Sequence, residues 1–423
     1  MGKRIGFVST RFAGTDGVTL EASKWAWVLK QSGHRNFWFA GELDRDPEKC
    51  MLVPEAHFQH PDTRWINERI LGRKARDPEV TRAIDRQKDL LRERIRTFID
   101  RFGIDLLVVQ NALTIPMHVP LGMALTEVIA ETLIPTIAHH HDFYWERVRF
   151  SVNAVGDYLR MAFPPNLTSI EHVVINSAAQ EELALRTGIS STIIPNVVDF
   201  ENPPQNDQTC APDFRSALGL DPEDIVFLQP TRVVARKGIE HAIELIRHLK
   251  DPRCKLVISH EAGDEGYEYA EWLKEDARSQ GVDLRFLETA SEDPWKARES
   301  RPADCASLWD IYPYADLITY PSLYEGFGNA FLEAVYFKKP LLINRYATFV
   351  RDIEPKGFDL VVMDGFLTPK TVEAVRQILT DAKRRRIMVD HNYQVATRHY
   401  SYAVLRRLLN NLIVNIFGLD ISI

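Results

Sequence analysis

The sequence predicts an α/β chain made of two Rossmann-like domains whose parallel sheets face each other across a cleft. Three observations predict it. Short, nearly continuous apolar runs recur along the chain, as strands covered on both faces require. Helical spacing follows many of them, and alternating strands and helices build parallel sheets. The chain has 423 residues, whereas a single core rarely grows past about 250–300 before the chain splits.

The elements follow in order. Arg4–Thr10 reads as a first strand, and Arg11–Gly17 breaks it. Val18, Ala22, Trp25, Ala26 and Leu29 then fall at helical spacing, with Gly33 as a stop. Phe37–Ala40 is the next strand. A long charged helix covers Glu79–Phe102, since Pro78 suits a first turn and Gly103 an end. Leu106–Val109, Pro135–His139, Val173–Asn176 and the short Ile193–Ile194 continue the strand series. Residues 201–213 are polar and turn-rich, which marks a linker. Alternation resumes with Ile225–Gln229, a helix after Lys237, Lys255–Ser259 and a helix near Tyr267–Ser279. Leu284–Leu287, Ala315–Tyr320, a helix from about Gly328, Leu341–Asn344 and Leu360–Met363 complete it. The expected domains are therefore 1–205 and 206–395. Residues 396–423 form a C-terminal helix, apolar at Tyr402, Val404, Leu405, Leu408, Leu409 and Leu412. It either crosses back to the first domain or ends the second.

Composition narrows the function. A formal net charge of −7 leaves no global basic field for nucleic acid. The hydrophobic fraction of 45% and charged fraction of 26% exclude collagen-like, low-complexity and wholly disordered chains. Cys50, Cys210, Cys254 and Cys305 are far apart, with no zinc-type pair and no disulfide framework, so a reducing cytoplasm is expected. The apolar run after Lys3 and Arg4 is too short for a secretory signal. No stretch reaches the roughly 18–20 apolar residues of a membrane span. Oligomeric state leaves no mark in the sequence.

The strongest local feature is the segment 320–335. A strand ends near Tyr320, a loop carries Gly326 and Gly328, and a helix opens. A helix N-terminus offers N–H groups and positive dipole to an anion or an oxygen-rich sugar. The two glycines let backbone approach a ligand closely. By pattern alone Glu325 is equally well a cap and Glu333 a solvated helix residue.

Here the sequence resembles the retaining family 4 glycosyltransferases. Pro321, Ser322, Glu325, Gly326, Phe327, Gly328 and Glu333 match the family signature without a gap. Residues 231–238, with Arg232 and Lys237, resemble its diphosphate element. Residues 193–199 resemble its Ile-Pro-Asn-Gly-Val-Asp run, with Val197 in place of the glycine, and 14–18 its first glycine loop. The resemblance covers most of the chain and is strongest over 225–345. It implies the GT-B architecture, with donor nucleotide mainly on the second domain and acceptor on the first. Charge grows on the departing diphosphate, and fixed cations there favour the transition state. The resemblance gives that role to Arg232 and Lys237; Arg236 is expected to point elsewhere. It has Glu325 contact sugar hydroxyls and stabilise the cationic ring. Glu333 would bind the ribose hydroxyls, and the N–H groups of Phe327, Gly328, Asn329 and Ala330 would complete the cradle. Gly14, Gly17 and Val18 would form a phosphate or acceptor loop.

A second constellation is His139, His140, His141 and Asp142, after a strand. Alternation along a strand sends His140 away from His139 and His141, against a three-histidine metal site. The histidines either cap the strand end or, as the resemblance implies, reach sugar and acceptor through His141, with His140 as the alternative. Asp142 is expected to orient the imidazole.

The resemblance implies a direct retaining transfer in which the leaving phosphate takes the acceptor proton, and no bound metal or permanent cofactor. The co-substrate is a UDP-, GDP- or ADP-sugar. The acceptor is a small soluble sugar or a polar, phosphorylated or carboxylated metabolite. Residues 61–103 hold 12 Arg/Lys against 8 Asp/Glu, with Trp65, Ile66, Ile70 and Leu71 interleaved. They read as a solvated helical face, an anion-binding surface, or a peripheral membrane face for a lipid-linked or polysaccharide acceptor. A GT-B epimerase, a sugar phosphorylase and a non-catalytic sugar-binding protein are the competing functions. A dinucleotide oxidoreductase is disfavoured, because 14–18 lacks the G-x-G-x-x-G pattern.

Overall fold

The computed structural model describes residues 2–14, 16–203, 215, 218–259, 267–287 and 308–418. Most of the expected linker, and the expected boundary at 205/206, lie outside the described residues. Contacts divide the chain into unit 1, Met1–Asn196 with Ala403–Ile423, and unit 2, Val197–Tyr402.

Unit 1 is built on seven strands: β1 Arg4–Val8, β2 Arg35–Ala40, β3 Cys50–Leu52, β4 Leu106–Gln110, β5 Thr136–His140, β6 Ile170–Val174 and β7 Thr192–Ile193. Their order is β3-β2-β1-β4-β5-β6-β7, all parallel. Ile5 registers with Asn36 on one side and Leu106 on the other. The five residues of β4 are all buried, which explains why Leu106–Val109 is apolar without alternation before the strand ends in Gln110. Helix Pro78–Phe102 covers one face through Leu91, Ile95 and Phe98, whose 3–4 spacing makes one stripe. It stops at Gly103, where φ is 57°.

Unit 2 repeats the plan with β8 Ile225–Gln229, β9 Cys254–Ile258, β10 Asp283–Phe286, β11 Leu317–Tyr320, β12 Leu341–Asn344 and β13 Val361–Met363. The order is β10-β9-β8-β11-β12-β13, again all parallel. Helix Glu240–Leu249 buries Ala242, Ile243, Leu245, Ile246 and Leu249 beside Phe227 and Leu256 of the sheet. Each large aliphatic side chain buried this way contributes about 1.5–3 kcal/mol.

The sequence pattern missed helix Val119–Thr132. Ten of its residues are buried, so it shows no polar stripe to betray its period. It also missed β3 and helix Pro61–Ile70, which are short. The end of the chain holds two helices, Ala382–Tyr400 and Tyr402–Phe417, separated at Ser401. The last one buries Leu405, Leu409 and Leu412 and belongs, from Ala403 on, to unit 1. Lys3 of unit 1 lies 4.1 Å from the centre of the Phe417 ring. Among the described residues no helix is long and apolar enough to cross a membrane.

Parallel strands all point one way, so the loops that leave their carboxyl ends gather along one edge of the sheet. Ligands of open α/β sheets bind there.

Candidate active site

In unit 2 the loops after β8 and β11 are joined. The Leu323 N–H donates to the Arg236 carbonyl at 2.9 Å. Ala235–Lys237 form one tight turn closed by Gly238, at φ 61°. A Cβ on Gly238 would come within 2.6 Å of the Pro321 carbonyl oxygen, so only glycine fits between the loops. That turn delivers Lys237 inward, where Nζ pairs with Glu325 Oε1. Each side chain is 10% exposed. The Arg236 guanidinium reaches the Tyr324 carbonyl at 3.2 Å and Glu325 Oε2 at 3.4 Å. Arg236 therefore does not point elsewhere, as the sequence reading had it: the turn closes tightly enough to aim both cations at one carboxylate. Arg232 is exposed, and its charge acts on Lys237.

The electrostatics favour an anion. Burial pushes the Glu325 carboxyl up, but the Lys237 ammonium and then Arg236 outweigh it and hold it below the ordinary range. Burial draws Lys237 down, with Glu325 opposing. Glu325 faces two cations, Lys237 and Arg236, and the Arg232 charge acts on Lys237, which leaves positive charge for a phosphate.

The loop after β11 is held from below. Thr348 Oγ1 donates to the Glu325 carbonyl at 3.1 Å, and Tyr346 Oη to the Phe327 carbonyl at 2.8 Å. Gly328 opens helix Asn329–Tyr336 at φ 115° and brings no capping side chain. A Cβ there would meet Tyr346 Oη at 2.6 Å. Gly326, Phe327, Asn329 and Ala330 lie on this same turn into the helix, and Glu333 accepts from Tyr312 Oη at 2.8 Å. The structure thus brings Lys237, Arg236 and Glu325 into contact. It holds Glu333 by Tyr312.

In unit 1 the loops after β1, β4 and β5 meet. His141 Nε2 lies 3.0 Å from Gln110 Oε1, and the His141 N–H donates to Asn111 Oδ1 at 2.8 Å. With Gln110 Oε1 facing the ring, Nε2 donates and Nδ1 is left as the acceptor. Burial pushes the His141 imidazolium down to about 4, with Asp16 opposing. The ring is thus neutral at pH 7. Asp142 does not orient it. Its carboxylate instead binds Arg147, and Oδ1 accepts from Asn111 Nδ2 at 3.1 Å. The expected Asp–His contact is replaced because Asn111, at φ 57°, turns its amide to clamp both residues. His139 stacks on Trp25 at 4.2 Å, while His140 faces away, 2.9 Å from His172 Nδ1.

The loop of Gly14, Gly17 and Val18, expected to take a phosphate or the acceptor, holds the Asp16 carboxylate of this chain. Asp16 caps helix Gly17–Gln31, accepting from the Val18 and Thr19 N–H groups at 3.1 Å. Arg11 pairs with that carboxylate at 3.1 Å, and the Val18 and Thr19 N–H groups are already taken by it. Ile66 and Ile70 are buried against Val80, Ile84 and Met123, which withdraws them from any lipid surface.

Gln110, Asn111 and Arg236 join the candidate site by contact, beyond what the sequence led one to expect. An Asn directly after a buried strand was the available signal for Asn111, since Asn tolerates positive φ. A lone Gln at a strand end carries none.

Comparison with known proteins agrees with this architecture. The family described as "Glycosyl transferases group 1" matches residues 211–395. Mannosylglucosylglycerate synthase of Thermotoga maritima is 31% identical over 438 residues, covering 96% of this chain and 99% of that protein. The synthase of the same name from Petrotoga mobilis is 32% identical over 388 residues, covering 84% and 86%. Among solved structures, Anabaena HepE in complex with UDP and glucose superposes with a TM-score of 0.64 at 12% identity, covering 98% of this chain and 100% of that one. The fold and these likenesses define a GT-B glycosyltransferase, a hexosyltransferase. The chain belongs to the group 1 glycosyl transferases.

Proposed function

We propose that this enzyme moves a hexose from a nucleoside-diphosphate sugar to a hydroxyl of a small soluble acceptor, with retention at the sugar carbon. One observation carries the reading: two adjacent cations, Arg236 and Lys237, converge on Glu325 beside a glycine-opened helix. Unit 2 binds the donor. Arg232 and Lys237 take the diphosphate, and Arg236 joins them. Lys237 keeps Glu325 ionised and fixed, so its oxygens can accept from sugar hydroxyls and face the cationic ring of the transition state. Glu333, oriented by Tyr312, accepts from the ribose hydroxyls. The N–H groups from Phe327 to Ala330 support the sugar and phosphate.

Unit 1 binds the acceptor. His141, neutral and oriented by Gln110, presents Nδ1 as a hydrogen-bond acceptor. It positions a hydroxyl and is not the base. The bond from sugar carbon to phosphate oxygen breaks, the acceptor oxygen bonds to that carbon on the same face, and the departing phosphate oxygen takes the acceptor proton. No step calls for a metal. The names of the two synthases support a glycoside of glycerate as acceptor and mannose as the transferred sugar. The cysteine pattern supports a cytoplasmic reaction.

The test is a panel of UDP-, GDP- and ADP-sugars with glucosylglycerate, following nucleotide release and product, with and without EDTA. A glycoside of retained configuration is expected, at equal rate with EDTA. An isomerised sugar or a sugar phosphate would replace this reading with an epimerase or phosphorylase.

A further inference from the structure

Unit 1 holds a cavity of about 310 Å³ that the mechanism above does not use. Its wall is assembled from the carboxyl-edge loops: Phe58 follows β3, Met117 follows β4, and Arg149 and Phe150 follow β5. Arg64 and Asn67 come from helix Pro61–Ile70. Three loops and a helix from distant parts of the chain therefore converge at the edge where open α/β sheets take ligands.

The wall is built rather than accidental. Asn67 Nδ2 donates to the Met117 carbonyl at 2.9 Å. The end of the helix is stitched to the segment after Phe150: the Ala154 N–H donates to the Ile70 carbonyl and the Gly72 N–H to the Val152 carbonyl, both at 2.8 Å. Arg149 lies flat on Phe150, 4.5 Å from the ring centre. These ties fix the spacing of the two arginines.

The chemistry of the lining is one-sided. It contains two guanidiniums and no carboxylate. Arg147, on the same loop, is held by Asp142, and the Arg149 charge also acts on that carboxyl. Arg64 makes no ion pair among the described residues, and it extends from an exposed helix position. Asn67 Oδ1 is buried and has no hydrogen-bond partner among the described residues. A buried acceptor left unpaired is costly, and a ligand hydroxyl would satisfy it. The volume sits at the small end of the roughly 300–1,000 Å³ of ligand pockets. Guanidinium forks match carboxylates in geometry, and aromatic walls suit the apolar face of a sugar.

We propose that this cavity is a subsite for the carboxylate end of a sugar-acid acceptor. Arg64 and Arg149 bind the carboxylate, Asn67 Oδ1 accepts from a hydroxyl, and Phe58 and Phe150 flank the carbon skeleton. This deepens the transferase reading and rests on it for the identity of the ligand as acceptor.

Calorimetry on the full chain with glucosylglycerate, its methyl ester and glucose 6-phosphate tests the site without any transfer step. Wild type should bind the free acid at least tenfold more tightly than Arg64→Gln does. Arg64→Lys should recover part of the loss, and the ester should bind wild type and Arg64→Gln alike. In turnover, Arg64→Gln and Arg149→Gln should raise the acceptor KM at least tenfold and leave the donor KM unchanged. Equal binding of free acid by wild type and Arg64→Gln overturns the subsite, and so does equal binding of acid and ester by wild type. Arg64-dependent preference for glucose 6-phosphate overturns the carboxylate assignment in favour of a phosphate. A chain that transfers sugar while Arg64→Gln binds acid normally loses the subsite and keeps the transferase reading. Nucleotide release from no donor removes that reading, and the calorimetry still decides the cavity.

Discussion

Lys237 and Glu325 form a buried ion pair, each side chain 10% exposed, between loops 88 positions apart in sequence. Removing one partner leaves an uncompensated buried charge, at a cost of about 3–5 kcal/mol. Lys237→Met and Glu325→Gln are each expected to lower stability by about that much, while the double variant loses less than the sum. Urea unfolding of the three variants checks this. Additive losses would show that the two groups do not act as a pair.

Gly328 stands at φ 115° with the Tyr346 hydroxyl 2.6 Å from where a Cβ would sit. Gly328→Ala should cost about 1–3 kcal/mol from backbone strain alone. It should also weaken donor binding, since the turn into helix Asn329–Tyr336 must shift. Thermal unfolding and nucleotide titration of the variant measure both effects; an unchanged midpoint would contradict the strain argument.

The turn at Gly328 also shows what the sequence made legible. Segment 320–335 is contiguous, so its strand, loop and helix were readable, as were β8, β11 and β12, whose buried runs are mostly apolar, with Gln229, Thr319 and Asn344 the exceptions. The pairing of Arg236 with Glu325 was not readable. It depends on a three-residue turn closed by Gly238, and a one-residue change in that turn would swing Arg236 away. Asp142 was misread for a similar reason: its partners Arg147 and Asn111 depend on how the chain turns after β5. The cavity of Arg64 and Arg149 joins residues 85 positions apart, which no local pattern reports. Helix Val119–Thr132 was hidden by being buried nearly all round.

His141 should matter to transfer more than to donor affinity, because the proposed donor residues lie in unit 2. A lost hydrogen bond of about 1.5 kcal/mol lowers a rate about tenfold. His141→Ala should therefore cut kcat/KM about tenfold or more, with nucleotide affinity unchanged. Gln110→Ala should cause a smaller loss, since it acts by fixing the ring. If nucleotide affinity fell in parallel with the rate for His141→Ala, His141 would belong to the donor site.

Acid should destabilise the protein through its buried histidines. His118 caps helix Val119–Thr132: Nδ1 accepts from the Leu121 N–H at 3.1 Å, and Nε2 donates to the Glu55 carbonyl at 2.8 Å. Burial pushes it down to about 4, and protonating Nδ1 would break the cap. The folded value lies below the ordinary 6.5, so the unfolded chain binds the proton first. Stability is full above pH 6.5 and is lost as pH falls through 4. His118 alone accounts for about 3 kcal/mol across that window. His141 and His172, both also near 4 through burial, add with the same sign. Urea midpoints should drop steadily from pH 7 to pH 4.5. A level midpoint over that range would mean these rings are not buried neutral.

The loop of Arg232, Arg236 and Lys237 is proposed to stabilise a departing nucleoside diphosphate. Nucleotide release by wild type and Lys237→Ala, measured across the UDP-, GDP- and ADP-sugar panel with glucosylglycerate, tests it most directly. Wild type should release nucleotide from at least one donor, and a folded Lys237→Ala should lose about 10²–10³-fold in kcat. Full activity in that variant, or release from no donor by wild type, would contradict it.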